Sequence, residues 1–150
     1  GISRRNLDLV REGMIETVNG RRGTARRSRI ADEENAMAGK TGTSQVRNIT
    51  VAERARGVFR NEDLPWNRRD HALFVGYAPY EAPRYAVAVV VEHGGGGSKA
   101  AAPVARDVLM RTLYGPEPPL DAYPPGQRPE RPDPAEEEPA PGPVSQRIRT

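Results

Sequence analysis

The sequence contains no cysteine, which excludes a disulfide framework, a thiolate nucleophile and a metal site built on cysteine. Its only two histidines, His71 and His93, lie in different segments without the spacing of a metal-ligand pair, so we expect no metal site. No apolar run approaches the roughly 18 residues of a transmembrane helix. We therefore expect no membrane-spanning segment in these 150 residues.

Lysine is also scarce, because only Lys40 and Lys99 are lysines among the 23 basic residues. A primary amine is a compact point charge that can lose its proton, whereas a guanidinium stays protonated. In so arginine-rich a chain, a lysine inside a distinctive motif is less readily explained as a general surface charge. This scarcity favours a functional role for Lys40.

Prolines and charges are distributed unevenly along the chain. The segment 115–150 contains 11 of the 15 prolines, lacks Phe and Trp, and carries the acidic run Glu136-Glu137-Glu138. Such a segment buries too little apolar surface to offset the entropy lost on ordering. We therefore expect a folded unit at 1–114, with 19 basic and 13 acidic residues, and a disordered tail at 115–150 with four basic and seven acidic residues.

Two amphipathic helices are predicted in the folded unit. The first is predicted over 6–19, where apolar residues recur at spacings of three or four: Leu7, Val10, Met14 and Val18. The second is predicted from Ser98, a favourable N-cap, to about Leu113. Its apolar face is predicted to contain Val104, Val108 and Thr112.

Three strands are predicted, over 37–46, 72–78 and 85–92, the last two joined as an antiparallel hairpin. The third is almost entirely apolar, which is typical of a strand covered on both faces. A long polar loop at 47–70, with a short helix at 51–56, joins the first two strands. Three strands and two helices cannot close a two-sided core, so we expect an incomplete α+β domain cut from a longer protein.

The most informative motif is Lys40-Thr41-Gly42-Thr43 in the first predicted strand. Such a strand can present an ammonium group and backbone N–H groups to an anionic acyl substrate. A phosphate-binding loop ending in Gly39-Lys40-Thr41 would need a glycine at position 34. The chain has Glu34 there, whose carboxylate would repel phosphate. An ordinary surface turn remains an alternative to an acyl-binding strand.

Five arginines cluster at 21–29. They are interpreted either as a nucleic-acid patch or as a solvated loop of an arginine-rich protein. No aromatic residue is interleaved to stack on bases, so we favour the solvated loop and expect no nucleic-acid partner. A basic, non-catalytic module that binds nucleic acid or another anionic polymer stays open as the alternative function.

Four segments, in their order and spacing over roughly 6–113, resemble the C-terminal part of the transpeptidase domain of class B penicillin-binding proteins. These segments are Gly23 to Ala25, Ala38 to Gln45, Asp70 to Pro79 and Val87 to Ala105. The resemblance implies part of the fold shared by penicillin-binding proteins and serine β-lactamases, an antiparallel sheet with flanking helices. It implies no cofactor.

Two motifs of that family are absent from this sequence. No serine is followed at the third place by lysine, as in S-x-x-K, and none has asparagine two places on, as in S-x-N. The resemblance implies that a serine attacks a D-Ala-D-Ala stem peptide, and that β-lactams react with the same serine. We expect this chain to lack the nucleophile and to be inactive alone. A degenerate homologue kept as a scaffold is a further alternative.

The resemblance also implies roles for individual residues. Lys40 would direct positive charge toward the serine of the S-x-N motif and toward the substrate carboxylate. Thr41 and Thr43 would offer hydroxyls to that carboxylate, and the Thr43 backbone N–H would be one oxyanion-hole donor. Gly42 would let the substrate backbone lie along the strand. Trp66 is a candidate contact for substrate or partner, although anchoring of the 47–70 loop is the favoured interpretation.

The partners that the resemblance implies are peptidoglycan stem peptides, β-lactams and a glycan-polymerising membrane partner of the elongation machinery. The implied location is the periplasmic face of a bacterial inner membrane. The anchor for that location would lie outside this sequence.

Overall fold

The computed structural model describes residues 1–57 and 59–130, which form an α+β arrangement of one antiparallel sheet with helices. The fold class predicted from the sequence is confirmed. The helices are α1 (Arg4–Asn19), α2 (Val51–Arg56) and α3 (Gly97–Tyr114), and the strands are β1 (Ala38–Ser44), β2 (His71–Ala78) and β3 (Tyr85–Val91).

The sheet has the order β1-β2-β3, and both neighbouring pairs are antiparallel. Lys40 in β1 lies opposite Val75 in β2, which in turn lies opposite Ala88 in β3. Because side chains alternate along a strand, this register places these three residues on one face of the sheet. Phe74, opposite Thr41, belongs to the other face.

The core lies between the second face of the sheet and the helices α1 and α3. Its large buried side chains include Phe74, Met37 and Leu109. A Cβ added at Gly39 would lie 2.2 Å from Phe74 Cζ, and one at Gly76 would lie 2.7 Å from Phe74 Cε1. The two glycines therefore leave the space that the Phe74 ring occupies, and burial of such a ring stabilises the fold by about 1.5–3 kcal/mol.

Helix α3 packs through a different face from the one predicted. Val104 and Val108 are exposed, and the buried positions are instead mostly small residues: Gly97, Ala101, Ala102, Ala105, Leu109 and Met110. Small side chains let the helix backbone approach the sheet closely, and Leu109 and Met110 supply the larger apolar contacts of the buried face. The predicted cap is also wrong, because the N-cap is Gly96 and no side chain caps the helix.

Strand β3 is covered on one face only within the described chain, whereas its composition predicts coverage on both. Val87, Val89 and Val91 are half-buried toward the helices. The intervening Val90 is 63% exposed. An apolar composition indicates that both faces of a strand can be buried, but it does not identify the element that would bury them.

The beginning of the predicted tail packs against the folded unit. Ala122 and Tyr123 are buried, and the Ala31 N–H donates to the Ala122 carbonyl at 2.7 Å. Arg106, only 5% exposed, donates to Gln127 Oε1 at 2.6 Å and lies over the Tyr123 ring at 5.2 Å. The packed chain therefore continues past position 114. The rest of the predicted disordered tail, 131–150, lies outside the described residues.

We expect Arg106→Met to lower the free energy of unfolding of the 150-residue chain by about 1–3 kcal/mol. The substitution removes the hydrogen bond to Gln127, the cation–π contact with Tyr123 and the ion pair with Asp107 at 2.8 Å. Urea unfolding followed by circular dichroism measures this loss. Arg111→Met on the exposed side of α3 is the matched control, with an expected change within about 0.5 kcal/mol. Equal stability of the two variants would contradict the role given to Arg106.

Asp32 receives several hydrogen bonds near the end of α3. The Tyr114 hydroxyl donates to Asp32 Oδ2, the Asn35 side-chain amide donates to the same oxygen at 2.8 Å, and the Glu34 N–H donates to Oδ1 at 3.0 Å. The Tyr114 hydrogen bond is the main cause that holds the pKa of Asp32 below its ordinary value of 3.8. Burial and the bond to Asp32 raise the pKa of Tyr114.

We expect Tyr114→Phe to lower the free energy of unfolding by about 1 kcal/mol near neutral pH. A carboxyl group with a lowered pKa stabilises the folded state above its unfolded-state pKa of 3.8, and this contribution is lost as the pH falls through the folded-state value. The difference between wild type and variant should therefore shrink below that pH. Thermal unfolding across the acid range measures it. Tyr85→Phe, whose hydroxyl is exposed, should show no such dependence.

Candidate functional site

The motif Lys40-Thr41-Gly42-Thr43 occupies β1, which lies at one edge of the described sheet. Lys40 and Gly42 share the sheet face that carries Val75 and Leu73, away from the helical core. Thr41 and Thr43 lie on the opposite side of the strand, level with Phe74 and Ala72. The strand thus presents a cation on one face and hydroxyls on the other, along an edge that no other described strand covers.

Lys40 is exposed, and its Nζ donates to the Thr41 carbonyl at 2.8 Å. Among residues 1–57 and 59–130, no carboxylate forms an ion pair with it. The other lysine, Lys99, is paired with Glu62 at 3.3 Å. The ammonium of Lys40 is therefore available to a negatively charged group that approaches this edge.

Gly42 lies where the start of α3 meets the sheet. A Cβ added at Gly97 would lie 2.5 Å from the Gly42 carbonyl oxygen and 2.3 Å from that of Leu73. The first turn of α3 therefore packs directly on the backbone of β1, which braces the motif. In the joint before α3, Gly95 adopts a φ of +80°, a backbone conformation that glycine reaches without steric cost.

Thr41 has a hydroxyl neighbour that sequence reasoning did not assign to the site. The Oγ1 atoms of Thr24 and Thr41 are 3.2 Å apart. Thr24 belongs to the turn between α1 and β1, and only its place in the segment Gly23 to Ala25 drew attention to it. No pattern in the sequence indicates a contact across 17 positions. Thr43 is exposed, and its side chain is open to the solvent.

Trp66 packs toward the end of the sheet where β1 ends at Ser44, four residues along the strand from Lys40. Its ring meets the His93 ring with centroids 4.3 Å apart, and the His93 ring lies 4.6 Å from that of His71, the partner of Ser44. The indole is still 61% exposed. The structure therefore gives Trp66 an anchoring contact with the sheet and leaves an open surface on it.

The two histidines join the end of the 47–70 loop to the end of β3. His93 Nδ1 donates to the Arg69 carbonyl at 2.9 Å, and the His93 N–H donates to His71 Nδ1 at 2.9 Å. These nitrogens are engaged in hydrogen bonds within the chain. In the described parts of the chain, no group of three His, Cys, Asp or Glu residues has the arrangement of a metal site.

Asp70 is a second anchor of the loop. Its carboxylate accepts from the Val46 N–H at 3.2 Å and from the Asn61 side chain at 3.3 Å, and its carbonyl accepts from the Gly95 N–H at 2.9 Å. Asp70 thereby ties the segment after β1 to the loop and to the joint before α3. Sequence reasoning included it only within the segment Asp70 to Pro79 and did not identify this role.

The chain is similar to known proteins both in sequence and in structure. Residues 1–110 match the family model described as the penicillin binding protein transpeptidase domain. The peptidoglycan D,D-transpeptidase MrdA of Haemophilus influenzae is 37% identical over 116 residues, which cover 77% of this chain and 17% of that protein. The chain therefore spans less than a fifth of the length of this relative.

Solved structures show the same likeness. Pseudomonas aeruginosa PBP2, solved in complex with WCK 5153, is similar with a TM-score of 0.58 at 39% identity, covering 79% of this chain and 22% of that one. Helicobacter pylori PBP2, solved in complex with MreC, has a TM-score of 0.55 at 34% identity, covering 73% and 17%. No helix within residues 1–57 or 59–130 combines the length and apolarity needed to cross a bilayer. By its matched domain and its PBP2 and MrdA relatives, the chain belongs to the penicillin-binding protein transpeptidase family.

Proposed function

We propose that this chain forms the substrate-binding wall of a peptidoglycan D,D-transpeptidase whose nucleophilic serine lies in a longer protein. The observation that carries the proposal is the exposed edge strand β1, where Lys40 is without a carboxylate partner among the described residues. Membership of the transpeptidase family supports this role for the strand, and the absence of S-x-x-K and S-x-N from the 150 residues supports a nucleophile outside them.

The proposed reaction is a serine acyl transfer in two steps. In the first, the serine Oγ bonds to the carbonyl carbon between the two D-Ala residues of a stem peptide, and the terminal D-Ala leaves with a proton on its amine. In the second, an amine of a neighbouring stem displaces the serine, which forms the cross-link and restores the hydroxyl. Water in place of the amine would give a carboxypeptidase reaction. A β-lactam would be attacked by the same serine.

The roles proposed for β1 follow from its chemistry. Lys40 supplies positive charge, and its mobile Nζ can leave the Thr41 carbonyl for the substrate carboxylate or an incoming serine. The hydroxyls of Thr41 and Thr43 donate to the carboxylate. The Thr43 N–H stabilises the oxyanion that forms on the attacked carbonyl, and loss of one such donor typically costs about 100- to 1000-fold in rate.

Gly42 and Trp66 have different proposed roles. The absence of a side chain at Gly42 leaves the sheet face beside Lys40 open, so a substrate backbone can lie along the strand. Trp66, in the 47–70 loop, lies toward the end of the sheet where β1 ends at Ser44. Its exposed ring is proposed as a minor contact for substrate or partner.

The proposed partners and location belong to the longer protein. The relatives are named for action on peptidoglycan, and one structural neighbour was solved as a complex with MreC. We propose that the longer protein works at the periplasmic face of a bacterial inner membrane, beside a glycan-polymerising membrane partner. Its substrates would be peptidoglycan stem peptides, with β-lactams as inhibitors.

We expect the isolated 150-residue chain to form no covalent adduct with a fluorescent penicillin, because it contains neither of the two serine motifs. Gel fluorescence and intact mass measure the adduct. The longer protein, with its upstream residues present, is the positive control and should be labelled. Stoichiometric labelling of the isolated chain would show that a nucleophile is present in these residues.

In the longer protein, we expect Lys40→Ala to reduce the acylation rate by a factor on the order of 100 or more, comparable to the loss of a transition-state donor. Stopped-flow measurement with a penicillin gives the rate, and thermal unfolding checks the fold. Lys99→Ala is the matched control, because Lys99 is exposed and its ion pair with Glu62 contributes about 0–1 kcal/mol. Acylation retained by Lys40→Ala would remove Lys40 from the site.

A further inference from the structure

Thr24 lies outside the motif, and the structure brings its hydroxyl within hydrogen-bond distance of Thr41. Its Oγ1 lies 3.2 Å from Thr41 Oγ1. The Thr24 side chain is exposed and Thr41 is half-buried, so the pair lies at the surface of β1. Nothing in the Lys-Thr-Gly pattern assigns a role to this turn residue.

The position of Thr24 is fixed by the backbone around it. The next residue, Ala25, is buried, and its N–H donates to the Thr17 carbonyl at 3.0 Å. A Cβ added at Gly23 would lie 2.4 Å from the same carbonyl oxygen. The turn is therefore pressed onto the last turn of α1, and a side chain at position 23 would displace it.

Helix α1 is itself tied to β1. The Asn19 side-chain amide donates to the Met37 carbonyl at 2.9 Å, just before the strand begins. Arg26 donates to the Asn19 carbonyl at 2.8 Å, which closes the turn on the same residue. Thr24 and Thr41 are thus held against each other by a continuous set of main-chain and side-chain bonds, so their contact is a consequence of the fold.

The direction of the hydrogen bond between the two hydroxyls decides what Thr41 can offer a ligand. Each hydroxyl has one proton to donate and can accept two hydrogen bonds. If Thr41 donates to Thr24, its only proton is used within the protein. If Thr24 donates to Thr41, the Thr41 proton is free for a carboxylate, which can only accept. An ionised acceptor also forms the stronger hydrogen bond, so a bound carboxylate favours the second direction.

We propose that Thr24 is a positioning residue that donates to Thr41 Oγ1 and directs the Thr41 proton toward the carboxylate of the bound stem peptide or β-lactam. The inference rests on the carboxylate-binding role proposed above for Thr41. Thr24 acts through Thr41 and does not touch the reacting atoms. Its effect is therefore confined to ligands that carry the carboxylate.

The test uses the longer protein with two penicillins, one with its free carboxylate and one as the neutral methyl ester. Thr24→Val keeps the shape of the side chain and removes the hydroxyl. We expect it to lower the second-order acylation constant for the free acid by about 3- to 10-fold, the loss of one hydrogen bond, and for the ester by less than about twofold. Thr24→Ser should restore the free-acid value to within about twofold.

Two further variants separate positioning from a structural effect. Thr112→Val, at an exposed threonine of α3, is the matched control and should change neither rate. In a Thr41→Val background, Thr24→Val should have no additional effect, because the residue it acts through is gone. Equal losses for acid and ester, independent losses in the double variant, no loss with Thr24→Val, or no recovery with Thr24→Ser would each overturn the inference.

The proposed function has a separate readout in the same experiment. If Lys40→Ala and Thr41→Val leave acylation of the free acid unchanged, the proposed function fails. If those two variants lose acylation and Thr24→Val does not, only the inference about Thr24 fails. Thermal unfolding of every variant shows whether it is folded, and Thr24→Ala, smaller and without the hydroxyl, replaces Thr24→Val if the valine variant does not fold.

Discussion

The ring of Phe74 occupies the space left by the missing side chains of Gly39 and Gly76, and this contact holds β1 in register against β2. A slip of one residue would move every side chain of β1 to the opposite face of the sheet. Lys40 would then point into the helical core, and the threonines would exchange faces with it. The chemistry of the motif therefore depends on a packing contact made by its neighbours.

A second constraint on β1 comes from the packing of helix α3 and the hydrogen bonds of Asp70. The first turn of α3 rests on the backbone at Gly42 because Gly97 has no side chain, and Asp70 ties the joint before α3 to the segment after β1. Two contacts therefore hold β1 in place: the first turn of α3 packs on Gly42, and Asp70 binds the segment just after the strand. The binding role proposed for β1 would need this rigidity, since donors held in place stabilise a developing charge without reorganisation.

Sequence patterns predicted the α+β class, the positions of the helices and strands, and the strand that carries Lys40. They failed where the buried partner was a small residue or a distant segment. Val104 and Val108 were predicted on the apolar face of α3, yet they are exposed, and three alanines with Leu109 and Met110 form the contact face, because close packing depends on shape as well as on hydropathy. The segment at 115–130 looked disordered from its prolines, yet Arg106 and Tyr123 hold it on the body.

The sequence by itself determined that this chain contains Lys40-Thr41-Gly42-Thr43, lacks both S-x-x-K and S-x-N, and resembles the penicillin-binding protein transpeptidase family to which its matched domain assigns it. These are local facts of residue type and spacing. Only the tertiary structure decided that Trp66 packs on His93, and that Thr24 meets Thr41 across 17 positions. Such contacts arise from chain reversal and helix packing, which depend on all the elements at once and leave no periodic signal in the sequence.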